Sequence, residues 1–222
     1  MRVLVIEDDP DLRGQIERHL RASRFAVDGA PDGREGHYLG ETETYDAVVL
    51  DLGLPERDGL SVLRSWRAQG RDMPVLILTA RGLWQEKIEG FDAGADDYVA
   101  KPFHMQELTA RLRALVRRAA GHSAPVLTCG PLWLDTHRAR LRVGERPVSL
   151  TPQEYRLIEY LMHHPGKVVS RTELTEHLYE QDFDRDSNTI EVFVARIRKK
   201  LGIPAIETVR GLGYRLDPVE ER

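Results

Sequence analysis

Through the first half of the chain, short apolar runs alternate with stretches in which apolar residues recur every three or four positions. Val3-Leu4-Val5-Ile6, Phe25-Ala26-Val27, Ala47-Val48-Val49-Leu50, Val75-Leu76-Ile77-Leu78 and Tyr98-Val99 are short and largely β-branched, and they predict strands. Leu12, Ile16 and Leu20 fall at i, i+4, i+8, and Leu108, Leu112 and Leu115 at i, i+4, i+7, so each set forms one stripe on a helix. Five strand-then-helix units in succession predict a doubly wound, five-stranded parallel sheet of the α/β class. Parallel neighbours need crossover connections, and the crossover helices then cover both faces.

The periodicity ends in Ala119-Ala120-Gly121-His122-Ser123-Ala124-Pro125, which reads as a linker over 119–125 between domains at 1–118 and 126–222. The second half is patterned differently. Leu132-Trp133-Leu134, Ala139 to Val143 and Pro147 to Leu150 predict short strands, with Gly144-Glu145 as a hairpin turn. Thr151-Pro152-Gln153-Glu154 starts a helix with threonine as N-cap, proline at N1 and glutamate at N3. A second helix begins at Ser170, three residues before Glu173, and a third spans Asn188 to Leu201, stopped by Gly202 and Pro204. Glu207 to Leu216, turning at Gly211-Leu212-Gly213, predicts a closing β-hairpin. Strands, three helices and a hairpin describe a small α+β module.

Charge adds little until it is localised. Residues 1–120 hold 17 basic and 21 acidic residues, a net of −4, and residues 121–222 hold 15 of each. Nucleic-acid binding therefore has to rest on local clustering. No apolar run approaches the ~20 residues that span a bilayer, so no membrane partner is expected. The single cysteine, Cys129, cannot form an internal disulfide; a cytoplasmic location is expected.

In the first half, the unusual polar residues stand where the predicted strands end: Glu7, Asp8 and Asp9 after the first, Asp51 after the third, Thr79 after the fourth and Lys101 after the fifth. A parallel sheet gathers those ends on one edge, where ligands bind. Two or three carboxylates there suit a hard divalent cation, Mg²⁺ above all, and one carboxylate can act as nucleophile toward a phosphoryl donor. A lysine and a hydroxyl would then neutralise the phosphoryl oxygens. Asp9 is read instead as a helix N-cap.

Ile6-Glu7-Asp8-Asp9, Leu50-Asp51-Leu52-Gly53-Leu54-Pro55, Leu78-Thr79-Ala80-Arg81, Gly94-Ala95-Asp96-Asp97-Tyr98 and Lys101-Pro102-Phe103 resemble the receiver domain of bacterial response regulators. The resemblance implies Asp51 as phosphoacceptor and Mg²⁺ held by Asp8, Asp51 and the Gly53 carbonyl, with Glu7 acting through water. It implies further that Thr79 and Lys101 contact the phosphoryl group, that Tyr98 switches rotamer, and that the Lys101–Pro102 bond is cis. A homodimer formed on phosphorylation would use the fourth helix, fifth strand and fifth helix. The family pairs positions there that correspond to Lys87 with Glu107, Asp97 with Arg111 and Asp92 with Arg113, around an apolar centre of Ile88, Phe91 and Ala110.

The helix predicted from Asn188 has an apolar stripe of Ile190, Val194, Ile197 and Leu201, with Asn188, Val192, Arg196 and Lys199 away from it and Arg198 and Lys200 on the flanks. Lys199 and Lys200 read equally as a solvated helix end favoured by the dipole. Arg210 and Arg215 flank the hairpin glycines, so a basic helix and a basic hairpin could meet a duplex together. Leu150 to Tyr155, Gly166 to Arg171, Thr189 to Val192, Arg196 to Leu201 and Thr208 to Tyr214 resemble the winged-helix effector domain of the OmpR/PhoB class. The resemblance implies DNA contacts by Asn188, Val192, Arg196, Arg198, Thr208 and Arg210. The chain departs from the family pattern at Asn188 and Ala195, where basic residues are common.

Together the two halves imply a phosphorylation-activated transcriptional regulator whose partners are a sensor histidine kinase and double-stranded promoter DNA, with RNA polymerase as a further candidate. Trp84-Gln85-Glu86-Lys87 and Lys101-Pro102-Phe103-His104 resemble the PhoP-type branch, which implies a PhoQ-type kinase. Two other classes compete. A dehalogenase-type phosphatase would share the aspartate and Mg²⁺ but needs a second acid two residues on, where this chain has Gly53, so no enzymatic turnover is expected. A protein-binding adaptor would share the second fold; it is distinguished by whether Arg196, Arg198 and Arg210 form one positive surface.

Overall fold

The computed structural model describes residues 1–80, 84–179 and 189–218, and within α4 the side chains from Ile88 onward. The chain forms two compact units, one of residues 2–119 and one from residue 120 onward.

In the first unit, β1 (Arg2–Ile6), β2 (Ala26–Ala30), β3 (Ala47–Asp51), β4 (Val75–Ala80) and β5 (Asp97–Lys101) form one sheet in the order β2-β1-β3-β4-β5. Every pairing is parallel. β1 and β3 are buried at every position, which explains their unbroken apolar runs. Helices α1 (Pro10–Ala22), α2 (Gly33–Thr42), α3 (Gly59–Ala68), α4 (Trp84–Asp92) and α5 (Met105–Ala119) form the crossovers. α1 packs with α5 and α2 with α3. The N-caps are sequence-local: Asp9 accepts from the Asp11 and Leu12 N–H groups, and Asp32 and Asp58 cap α2 and α3. Trp66, fully buried, anchors a core with Leu4, Ile6, Leu50 and Leu63.

A feature that hydropathy does not disclose lies near the amino ends of the strands. Arg2 is wholly buried, with Nε 2.7 Å from Asp28 and NH1 2.9 Å from Glu43, and its guanidinium lies 4.8 Å from the centre of the Tyr45 ring. A buried charge is tolerable only when paired in this way. Burial and the neighbouring Asp28 push the Tyr45 hydroxyl far above its usual range.

The second unit opens with an antiparallel sheet of β6 (Val126–Cys129), β7 (Leu132–Asp135), β8 (Arg140–Val143) and β9 (Arg146–Val148). α6 (Pro152–His163) follows, then β10 (Val168–Val169), α7 (Arg171–Leu178), α8 (Thr189–Leu201), β11 (Ile206–Val209) and β12 (Gly213–Leu216). The capping box is complete: the Thr151 hydroxyl accepts from Glu154 N at 3.4 Å, and Glu154 Oε2 accepts from Thr151 N at 2.7 Å. Ser170 caps α7 through Glu173 N. β11 and β12 form the expected hairpin, and β10 joins β12 as a third strand. Gly213 permits that junction. Its φ is +147°, and a Cβ there would lie 2.0 Å from the Val169 carbonyl oxygen. β6 and β10 escape a periodicity reading because they bury only two residues and one residue respectively.

Candidate functional site

Parallel pairing brings the carboxyl ends of β1, β3, β4 and β5 to one edge, and with them Glu7, Asp8, Asp51, Thr79 and Lys101. Glu7, Asp51 and Thr79 are buried, whereas Asp8 is exposed. Lys101 reaches across the edge, its ammonium 2.7 Å from Glu7 Oε2 and 3.1 Å from Asp51 Oδ2. Burial lifts the Glu7 carboxyl above its usual range, with Lys101 opposing that shift. Burial disfavours the Lys101 charge, but the Glu7 and Asp51 carboxylates more than offset it and hold the ammonium above its usual range.

Glu7, Asp8 and Asp51 each offer an oxygen within 4.8 Å of the others, a donor set that fits a hard, oxygen-seeking cation such as Mg²⁺. Gly53 stands beside it; a Cβ there would lie 3.8 Å from Asp51 Oδ2. The Lys101–Pro102 bond is cis. Two supporting residues were invisible to motif reading. Arg13 NH1 donates to the Glu7 carbonyl at 2.6 Å and so fixes the loop after β1. Gly59 opens α3 so close to β3 that a Cβ would meet the Asp51 carbonyl oxygen at 2.2 Å. Only tertiary packing creates either need.

Tyr98 lies edge-on to Phe91, ring centres 5.6 Å apart, and shares with Thr79, Ile77 and Gly90 the wall of a small pocket under α4. Ile88 and Phe91 are 46% and 49% exposed, an apolar pair on the surface of α4. Asp92, Glu107 and Ala110 are also exposed. Within one protomer Arg111 NH1 lies 3.0 Å from Asp97 and NH2 2.9 Å from Glu107. Arg113 makes its contacts within the protomer on another side of α5. It donates to the Ser23 carbonyl at 3.2 Å and lies 6.0 Å from the centre of the Phe25 ring, at the α1–β2 junction. Successive helical positions diverge by about 100°, which sends residues 111 and 113 to different flanks. The Lys87 side chain lies outside the described residues.

On the second unit, α8 buries Ile190, Val194, Ile197 and Leu201 as its stripe predicts. Val192, Arg196 and Lys199 are exposed on α8, and Thr208 and Arg210 on the hairpin. Arg196 and Arg210 have no side-chain partner among the described residues, whereas Arg198 bonds the hairpin itself, through the Ile206 carbonyl and Thr208 Oγ1. Asn188 lies outside the described residues. Two expectations are corrected. Arg215 does not add positive charge to the hairpin, because Glu207 and Asp217 pair with it at 2.6 and 2.7 Å. Lys200 is not a free helix-end charge; it lies 2.6 Å from Glu154, whose side chain is 1% exposed. Ser170, Arg171 and Thr172 face Thr208 to Tyr214 across an open groove, and Arg171 pairs with Glu191 at the start of α8.

Comparison with known proteins agrees with this division. Residues 3–113 match the response regulator receiver domain family, and residues 144–216 match the C-terminal domain of transcriptional regulatory proteins. The two-component response regulator PhoP of Pseudomonas aeruginosa is 49% identical over 96% of this chain and 97% of its own length. The transcriptional regulatory protein PhoP of Escherichia coli K12 is 42% identical over 96% of this chain and 98% of its own length. Among solved structures, the receiver domain of a Francisella response regulator is 37% identical, with a TM-score of 0.52, over 53% of this chain and 98% of that one. A receiver unit implies a histidine kinase as partner, and the second unit implies DNA. The chain belongs to the OmpR/PhoB class of two-component response regulators, with receiver and DNA-binding domains like those of PhoP transcriptional regulators.

Proposed function

We propose that Asp51 accepts the phosphoryl group, that phosphorylation drives dimerisation through α4, β5 and α5, and that the dimer binds direct repeats with α8 in the major groove. The observation that carries this reading is the Lys101 ammonium set against both Asp51 and Glu7, on the edge that also bears Asp8 and Thr79. Mg²⁺, held by Asp8, Asp51 and the Gly53 carbonyl with Glu7 through water, would supply charge neutralisation at the phosphoryl oxygens.

The residues themselves have distinct tasks. Asp51 attacks phosphorus through a carboxylate oxygen, forming an acyl phosphate as the kinase histidine leaves. Lys101 then moves its hydrogen bonds from carboxylate to phosphoryl oxygen, and the Thr79 hydroxyl donates to another. Drawing Thr79 toward Asp51 frees the pocket it shares with Tyr98, so Tyr98 can turn inward and alter the face around Phe91. Ile88, Phe91 and Ala110 would form the apolar centre of the dimer, with Lys87–Glu107, Asp97–Arg111 and Asp92–Arg113 setting register. Such exposed pairs contribute about 0.2–1 kcal/mol each.

Two DNA-binding domains in one dimer gain affinity through effective concentration, without any new base contact. Arg196 and Arg210, exposed on helix and hairpin, support DNA as the ligand over a protein partner. With Gly53 where a general acid would stand, no turnover is proposed beyond slow self-dephosphorylation. We place the domain boundaries at 1–118 and 126–222 with 119–125 as linker, the protein in the cytoplasm, a PhoQ-type kinase upstream and RNA polymerase as the downstream contact. None of the helices among the described residues is long and apolar enough to cross a membrane. Footprinting on genomic fragments with and without acetyl phosphate tests the scheme. Protection should strengthen on phosphorylation of the wild type and not of Asp51→Asn; equal gains in both would refute it.

A further inference from the structure

Arg196 and Arg198 stand two residues apart on the same basic end of α8, yet their guanidinium groups are differently engaged. Arg198 Nε donates to the Ile206 carbonyl at 2.9 Å, and its NH2 donates to Thr208 Oγ1 at 2.7 Å. Both acceptors belong to β11, the first strand of the hairpin. A planar guanidinium can hold two acceptors in one fixed fork, which an ammonium cannot. Arg196, by contrast, is exposed with no side-chain partner among the described residues.

We infer that Arg198 is a positioning residue, which locks the wing hairpin to the recognition helix and aims the Thr208 hydroxyl at the DNA backbone, instead of reading a base. The inference rests on the proposed DNA-binding role of α8. A hydroxyl has one hydrogen and two lone pairs. Arg198 can only donate, so it occupies a lone pair of Thr208 and leaves the hydroxyl hydrogen for an outside acceptor. Thr208 is exposed and lines the groove that Arg210 and the start of α7 share. The acceptor that a duplex offers to such a groove is a phosphate oxygen.

The two arginines should therefore fail differently. Loss of a base-reading Arg196 flattens preference at one base pair, whereas loss of Arg198 weakens all sequences alike. Arg198 and Thr208 should act as one unit, so their effects should not multiply.

The test uses the full-length protein and a duplex that it selects from random-sequence DNA. Affinities for that duplex and all its single-base variants are measured for wild type, R196A, R198A, R198K, T208V and R198A/T208V. R198A should weaken every duplex by roughly tenfold, the scale of a hydrogen bond to a charged group, and keep their order. R198K should not restore affinity, and the double variant should bind as R198A does. Loss of preference at one base pair in R198A, or multiplied effects in the double variant, would overturn the inference. Should R198A lose its circular dichroism signature, T208V carries the test: uniform weakening supports the inference and unchanged affinity overturns it. A wild type that selects no sequence would instead bring down the DNA-binding reading beneath it.

Discussion

At the strand edge of the first unit two buried carboxylates share one ammonium, with the exposed Asp8 beside them; on the face of the second unit, guanidinium groups stand in water. The first arrangement is partly balanced within the chain: Lys101 neutralises part of the charge of Glu7 and Asp51. The second is incomplete by design of charge, since Arg196 and Arg210 meet no side-chain partner among the described residues. A buried acid cluster makes stability depend on its counter-charge, while an exposed cation defers its electrostatic gain until a polyanion arrives. Substitutions in the first region should thus alter folding and metal response, and those in the second should alter DNA affinity with little effect on folding.

The comparison breaks most visibly if the two regions are not linked. Ile88→Glu places a charge at the centre of the face proposed to join two protomers, the step that would couple phosphorylation to DNA binding. Sedimentation of the acetyl phosphate-treated variant should show dimerisation weakened by more than tenfold, since an unpaired charge in an apolar interface centre costs a few kcal/mol. Undiminished dimerisation would remove that face from the account.

Lys101→Met sharpens the first half of the contrast. It leaves a buried Glu7 beside Asp51 with no ammonium between them. Without divalent cation the variant should lose about 2–3 kcal/mol by denaturant titration, less than for a wholly buried pair because Lys101 is partly exposed. Mg²⁺ should recover more stability in the variant than in the wild type. An equal Mg²⁺ increment in both would mean that Lys101 does not share the cation's charge-balancing role.

A smaller effect tests whether the second unit also contains a structural ion pair distinct from its DNA face. Burial alone would raise the Glu154 carboxyl, but the Lys200 ammonium and the Thr151 N–H hold it below its usual range. A depressed pKa contributes stability that is present above the ordinary carboxylate range and lost as pH falls through the folded-state value. Lys200→Met should therefore cost about 1 kcal/mol near neutrality, with the two stability curves converging in acid. Parallel curves across that range would show that Lys200 does not set the Glu154 charge.

The unequal legibility of the two regions follows from the same physics. Strand-end chemistry could be read residue by residue because a parallel sheet turns sequence order into position: Asp51 ends β3, and Lys101 ends β5. Arginines on an exposed face carry no such coordinate. Arg215, Arg198 and Arg113 look alike in sequence, yet acids neutralise the first, β11 holds the second, and the third turns to Phe25. Those fates depend on cross-strand register and on which helix flank meets a neighbour. Gly59 and Arg2 were silent for a related reason, since close approach and buried pairing arise only when distant segments meet.

The central claim is that one carboxylate, Asp51, carries the phosphoryl group. Intact-mass measurement after treatment with acetyl phosphate and Mg²⁺ addresses it directly, with wild type and Asp51→Asn compared under identical conditions. The account predicts a single phosphoryl adduct on the wild type and none on the variant. Equal labelling of the variant would contradict it.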